Sequence, residues 1–178
     1  MTIDEKYKKA GEIISTAGGT PLPVNDTLIK LLKFFIMEDE LDFIAAFAEK
    51  KSQTMEQLKQ SSGLSEDEIN KKVKDLAKRG VIFNQPNSKG IMVFRLLPLF
   101  NVGTFEYNFM GKLVIDDRNK EIAGLFKQMF ADLNNMVQDN YDVIVPMLMA
   151  GPAIDRTVPV FENKPKSEPV KIVINEKL

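Results

Sequence analysis

The sequence predicts a mainly α-helical protein with one small β-hairpin, and three observations carry that prediction. Thr54 with Gln57, and Ser65 with Glu68, form two capping boxes, in which a hydroxyl and an amide or carboxyl satisfy free N–H groups of a helix's first turn. Gly63 and Gly80 each follow the last apolar-periodic residue of a helix, where a left-handed residue is needed and glycine takes it without strain. Residues 81–83 and 91–97 are rich in β-branched and aromatic side chains, and 84–90 between them is turn chemistry throughout. Helix, tight turn, helix and hairpin in that order is the layout of a winged helix-turn-helix.

Before this unit, residues 4–15 place Tyr7, Ala10, Ile13 and Ile14 on one side of an amphipathic helix. Residues 17–24 hold paired glycines and two prolines and read as a linker. Asn25 or Asp26 then caps a helix in which Leu28, Ile29, Leu31, Leu32, Phe35 and Ile36 are dense enough to require burial on more than one face. Glu38, Asp39, Glu40 and Asp42 follow, ahead of Phe43, Ile44 and Phe47. Acidic side chains in a helix's first turn favour its positive end. A divalent-metal site is the sharper alternative, but the spacing fits no calcium loop and lacks its turning glycine.

Within the second helix of the turn motif, Ile69, Val73, Leu76 and Ala77 form the inward stripe, met by Leu58 from the first. The outward face is Asn70, Lys71, Lys74, Lys78 and Arg79, and Lys89 and Arg95 are the only cations of the hairpin. These supply the candidate nucleic-acid contacts: Asn70, Lys71, Lys74, Lys78, Arg79 and Lys89. A recognition helix would present its N-terminal end to the major groove. Glu66, Asp67 and Glu68 occupy that end, where like charge costs affinity for phosphate, so nucleic-acid binding is disfavoured against a solvated outer face.

Pro98 ends the second hairpin strand. Phe105, Tyr107 and Phe109 alternate, which would place them on one face of an extended, packed segment. Asp116 and Asp117 open the longest helix, whose Ile122, Phe126, Met129, Phe130, Leu133 and Val137 make a stripe suited to a core or to dimerisation. Residues 143–149, interrupted by Pro146, read as a kinked helix or an irregular packed piece. Beyond them 156–160 is extended, 162–169 is a linker of Lys, Pro and Glu, and 170–174 is strand-like. A linker joins two things and such a strand wants a partner, so the expectation is that the natural protein continues. The divisions are 1–24 (N-terminal helix and linker), 25–100 (winged helix), 101–155 (helical extension) and 156–178 (extended linker).

Composition excludes more than it assigns. The 178 residues carry a net charge of −1, with 44% hydrophobic and 28% charged residues, and contain no Cys and no His. Thiolate chemistry, disulfides, thiol or imidazole metal ligation and the commonest general base are therefore absent. The charged start lacks the apolar core of a signal peptide and no apolar run approaches a membrane span, which implies a cytoplasmic chain with no membrane partner. No phosphate loop, dinucleotide fingerprint or nucleophile motif is present, and adjacent carboxylates such as Asp116 and Asp117 diverge by about 100° on a helix. The expectation is a non-enzyme.

Several stretches resemble the N-terminal region of ferredoxin-type iron-sulfur proteins of anaerobic bacteria and archaea. They are Pro21, Leu22 and Pro23 leading into 28–35, the unit 64–83, the run 93–98, the segment 103–110, and 156–160. In that family a cysteine-rich part holding four-iron clusters follows. The chain departs there completely, since cluster irons need thiolates, and no cluster ligand carries over to any residue. The resemblance implies an interaction or regulatory portion of an electron-transfer protein, without a cofactor of its own. Its partner would be another protein, a second copy, or an iron-sulfur domain lying outside this chain. The alternative is a DNA-binding transcriptional regulator.

Overall fold

Four helices begin at residues that the sequence offers as caps, and Asn25 rather than Asp26 caps the first of them. In a computed structural model that describes residues 1–17, 22–100, 103–110 and 114–150, Asn25, Thr54, Ser65 and Asp116 each accept a backbone N–H from the first turn of the following helix. Both capping boxes are closed, with Gln57 and Glu68 reaching back to the cap N–H. Gly63 and Gly80 both sit at φ 70°, so the two helices of the turn motif stop at glycines in the left-handed region.

The element order is α1 (Ile3–Ala17), α2 (Asp26–Phe35), a single 3-10 turn (Glu38–Glu40), α3 (Leu41–Ala45), β1 (Ser52–Thr54), α4 (Met55–Ser62), α5 (Glu66–Lys78), β2 (Ile82–Pro86), β3 (Met92–Leu96), α6 (Thr104–Phe109), α7 (Asp117–Asp139) and α8 (Tyr141–Ala150). The described residues are thus mostly helical with a three-stranded antiparallel sheet in the order β1-β3-β2. One core joins the elements. Tyr7 and Ile14 of α1, Phe35 of α2, Leu76 of α5, Phe94 of β3 and Phe126 of α7 are all buried in it. The N-terminal helix and the long helix therefore build the same interior as residues 25–100.

Four expectations are corrected. The hairpin is joined by a third strand, β1, whose Ser-Gln-Thr sequence carries no apolar alternation. Gln53 fixes it: buried, it donates Nε2–H to the carbonyls of Ala46 and Lys50 and accepts from the Ser61 hydroxyl. The first hairpin strand runs on to Pro86, so the turn is confined to 87–90, where Asn87 Oδ1 accepts the N–H groups of Lys89 and Ile91. Residues 104–109 form helix α6 and not an extended segment. Phe105 and Phe109 stand four residues apart, their ring centroids 5.3 Å from each other, and Glu106 caps the helix through the Gly103 N–H. The acidic run 38–42 forms a 3-10 turn and only then α3, and its Glu40 turns inward.

Gly103 is required by space. A Cβ there would collide with the carbonyl oxygen of Pro98, whose acceptance of the Thr104 N–H at 3.0 Å seats α6. Gly103→Ala is expected to lower stability by about 2 kcal/mol through forced displacement of α6. Urea denaturation checks the size, and loss of protection at the α6 amides in hydrogen exchange checks the place. The kinked-helix reading of 143–149 corresponds to α8, which carries Pro146 inside it. Residues 156–178, with their linker and strand readings, lie outside the described residues.

Candidate functional site

Two surfaces meet at the hairpin. The first is the outward face of α5. With Ile69, Val73 and Leu76 buried, Asn70, Lys74 and Lys78 fall on one outward row four residues apart. Together with Asn84 of β2 and Tyr107 of α6 they line a shallow groove of about 380 Å³. Lys71 is exposed beside this groove without lining it, and Lys89 is exposed at the hairpin turn, apart from the row. Lys78 lies 3.3 Å from Asp75 in an exposed ion pair, whereas Lys74 has no ion-pair or hydrogen-bond partner among the described residues.

Arg79 does not belong to this face. Its guanidinium turns into the body, donating from Nη1 to Glu40 Oε2 at 2.9 Å and from Nη2 to Glu40 Oε1, a two-point pairing. It donates as well to the carbonyls of Phe35 and, through Nε, Asp75. The Glu40 side chain is 7% exposed and that of Arg79 19%, so the cation expected on the outer face is committed to a buried clasp between α5 and the end of α2. At the other end of α5, Glu66, Asp67 and Glu68 are exposed. The hydrogen bonds from the Ser65 hydroxyl and N–H hold the Glu68 carboxyl below its ordinary pKa.

The second surface is the solvent face of the sheet. Strand alternation buries Ile82, Phe94 and Leu96 and turns Phe83 and Arg95, which pair across β2 and β3, outward. Between this face and α6 runs a groove of about 590 Å³, floored by Phe83, Val93 and Leu97, walled by Pro98 and Tyr107, with Arg95 as its cation. Phe83 is 47% exposed and Tyr107 57%. Tyr107 lines both grooves and packs over Gly80, where an added Cβ would meet its ring at 2.7 Å. Sequence reasoning missed this groove because it depends on α6 being a helix. The available signal was Phe83, whose alternation with Ile82 places a large aromatic on the outer side.

The β2 edge is poorly suited to taking an added strand. The Val81 carbonyl accepts from Leu97 and the Asn87 N–H donates to Ile91, each at 2.9 Å, so the odd-numbered residues of β2 bond β3 and the backbone polar groups of Ile82, Asn84 and Pro86 point to the free edge. Ile82 is buried and Pro86 has no N–H, which blunts the edge.

Among the described residues no group of three or more His, Cys, Asp or Glu side chains could hold a metal ion, and no helix is long and apolar enough to cross a membrane. No protein-family model matches the chain, and neither a curated protein nor a solved structure is significantly similar to it.

Proposed function

We propose that this chain is a winged helix-turn-helix interaction module, with α4 and α5 as the turn motif and β2–β3 as the wing, and that it docks another protein without catalysing a reaction. The observation that carries this reading is the groove over the outer sheet face, in which Phe83 and Tyr107 stand about half exposed beside Arg95. Large aromatics and arginine are the residue types that supply most of the energy at protein interfaces. The resemblance to ferredoxin-type proteins names the partner class: a protein or domain carrying four-iron clusters. The test is a titration of isotope-labelled chain with a two-cluster ferredoxin, read by amide shift changes. The expected result is saturable shifts at Phe83, Val93, Arg95 and Tyr107. No shifts there at millimolar partner would overturn the reading.

A DNA-binding role is the second reading, favoured by the groove shared by Asn70, Lys74, Lys78, Asn84 and Tyr107. The anionic turn at Glu66, Asp67 and Glu68 opposes it, as does the withdrawal of Arg79. Fluorescence anisotropy with a labelled duplex at low salt is expected to give only weak binding, unchanged by the triple replacement Lys71→Glu, Lys74→Glu, Lys78→Glu. Binding that is tight, falls steeply with salt and disappears in the triple variant would put the regulator reading first.

A further inference from the structure

Strand register sets two free donors side by side on the outer sheet face. The Leu96 N–H donates to the Lys51 carbonyl at 2.8 Å, so Lys51 and Leu96 are a hydrogen-bonded pair and Ser52 and Arg95, next along the ladder, are a narrow one, with Cα atoms about 4.5 Å apart. Gln53 and Phe94 beside them are buried, which turns Ser52 and Arg95 away from the core, and both line the groove of about 590 Å³. Phe83 flanks Arg95 from β2. Neither the Arg95 guanidinium nor the Ser52 hydroxyl makes a hydrogen bond or ion pair among the described residues. Glu106, the acidic side chain of the groove, instead accepts the Gly103 N–H at 2.9 Å and caps α6.

This arrangement selects one kind of molecule. A guanidinium is a planar fork that matches a carboxylate, and a hydroxyl beside it supplies a further donor to the same oxygens. One cation balances one negative charge, so a monoanion suits the pair better than a phosphate dianion does. Phe83, Val93, Leu97 and Tyr107 carry the groove on from these donors as apolar surface. Small-molecule sites are of this form, with volumes of about 300–1,000 Å³, a mostly apolar lining and a few polar groups that fix orientation. We infer that the groove binds a small monocarboxylic acid with a flat apolar body, its carboxylate on Arg95 and Ser52 and its body over Phe83 towards Tyr107. The binding itself needs no protein partner; that the acid excludes a docked protein, and so regulates docking, rests on the docking reading.

Titration of isotope-labelled chain with 3-phenylpropionate alone, read by amide shift changes, tests the binding. The expected result is saturable shifts at Ser52, Phe83, Arg95 and Tyr107 with a dissociation constant on the order of 1 mM. 3-Phenylpropionamide has the shape without the charge and inorganic phosphate has charge without the body, and each should bind at least about tenfold more weakly. Arg95→Gln should weaken binding of the acid by about tenfold or more and Ser52→Ala by about threefold, while Lys89→Gln, at a cation outside the groove, should leave it unchanged. Shifts that do not saturate by about 30 mM, an amide that binds as tightly as the acid, or an Arg95→Gln variant that binds it undiminished would each overturn the inference. Acid binding with no response to the ferredoxin would uphold it and remove the docking reading alone. A ferredoxin response without acid binding would do the reverse.

Discussion

Replacing Arg79 by methionine is expected to destabilise the protein by about 3–4 kcal/mol, lowering the thermal midpoint by about 10 °C. The substitution leaves the Glu40 carboxylate inside the protein with the Met37 N–H, at 2.7 Å, as its remaining hydrogen-bond donor among the described residues, and it frees the Phe35 carbonyl at the end of α2. An unpaired buried charge is what makes this costly, since the pair itself repays little more than its own desolvation. The double variant Arg79→Met, Glu40→Gln should therefore recover most of the loss. Lys6→Ala, which breaks the exposed pair with Asp42, should cost less than about 1 kcal/mol. Urea denaturation of the four proteins checks the set. A loss below about 1 kcal/mol for Arg79→Met would mean that the guanidinium is not a clasp.

Phe126→Ala is expected to cost about 4 kcal/mol, because Phe126 is the ring on which the aromatic cluster closes. It is 1% exposed and its centroid lies 6.2 Å from Phe35, 5.8 Å from Phe100, 4.8 Å from Phe105 and 5.7 Å from Phe109. Tilted and edge-on contacts of this kind add to the area that each ring buries. The rings come from α2, the segment after β3, α6 and α7, so the deletion should loosen α6 and α7 together. Hydrogen exchange checks this: protection should fall in 104–109 and 117–129 and be retained in α4 and α5. Phe130→Ala, at the cluster's exposed rim, should cost about 1–2 kcal/mol. Equal losses in the two variants would show that the cluster has no centre at Phe126.

Local chemistry was legible wherever one residue satisfies its own neighbourhood. The caps at Asn25, Thr54, Ser65 and Asp116 and the glycine stops at Gly63 and Gly80 follow from the hydrogen-bonding needs of helix ends, which reach only three or four residues. The alternation in β2 and β3 and the stripes of α5 and α7 were readable for the same reason, being periodic along a single element. The sequence put Asn70, Lys71, Lys74, Lys78 and Arg79 on one outward face of α5; Asn70, Lys74 and Lys78 share a row there, Lys71 stands beside it, and Arg79 leaves it.

The rest depended on partners distant in sequence. Outward and inward positions at the end of α5 differ by one residue, and Arg79 turned inward because Glu40, thirty-nine residues earlier, offered a buried carboxylate. Phe105, Tyr107 and Phe109 fit a strand by alternation; they became a helix through the Gly103 cap and the ring cluster around Phe126 and Phe100. β1 has no apolar signal and exists because β3 offers it an edge and Gln53 finds carbonyls at Ala46 and Lys50. The sequence by itself determined where α4 and α5 start and stop, which faces of the periodic helices are apolar, and that neither thiolate nor imidazole chemistry is available. Tertiary structure alone decided which cations remain on the surface and where the two grooves lie. Burial of a charge, seating of a ring and closure of a sheet are each settled by the group that meets them, and that group is brought there only by the fold.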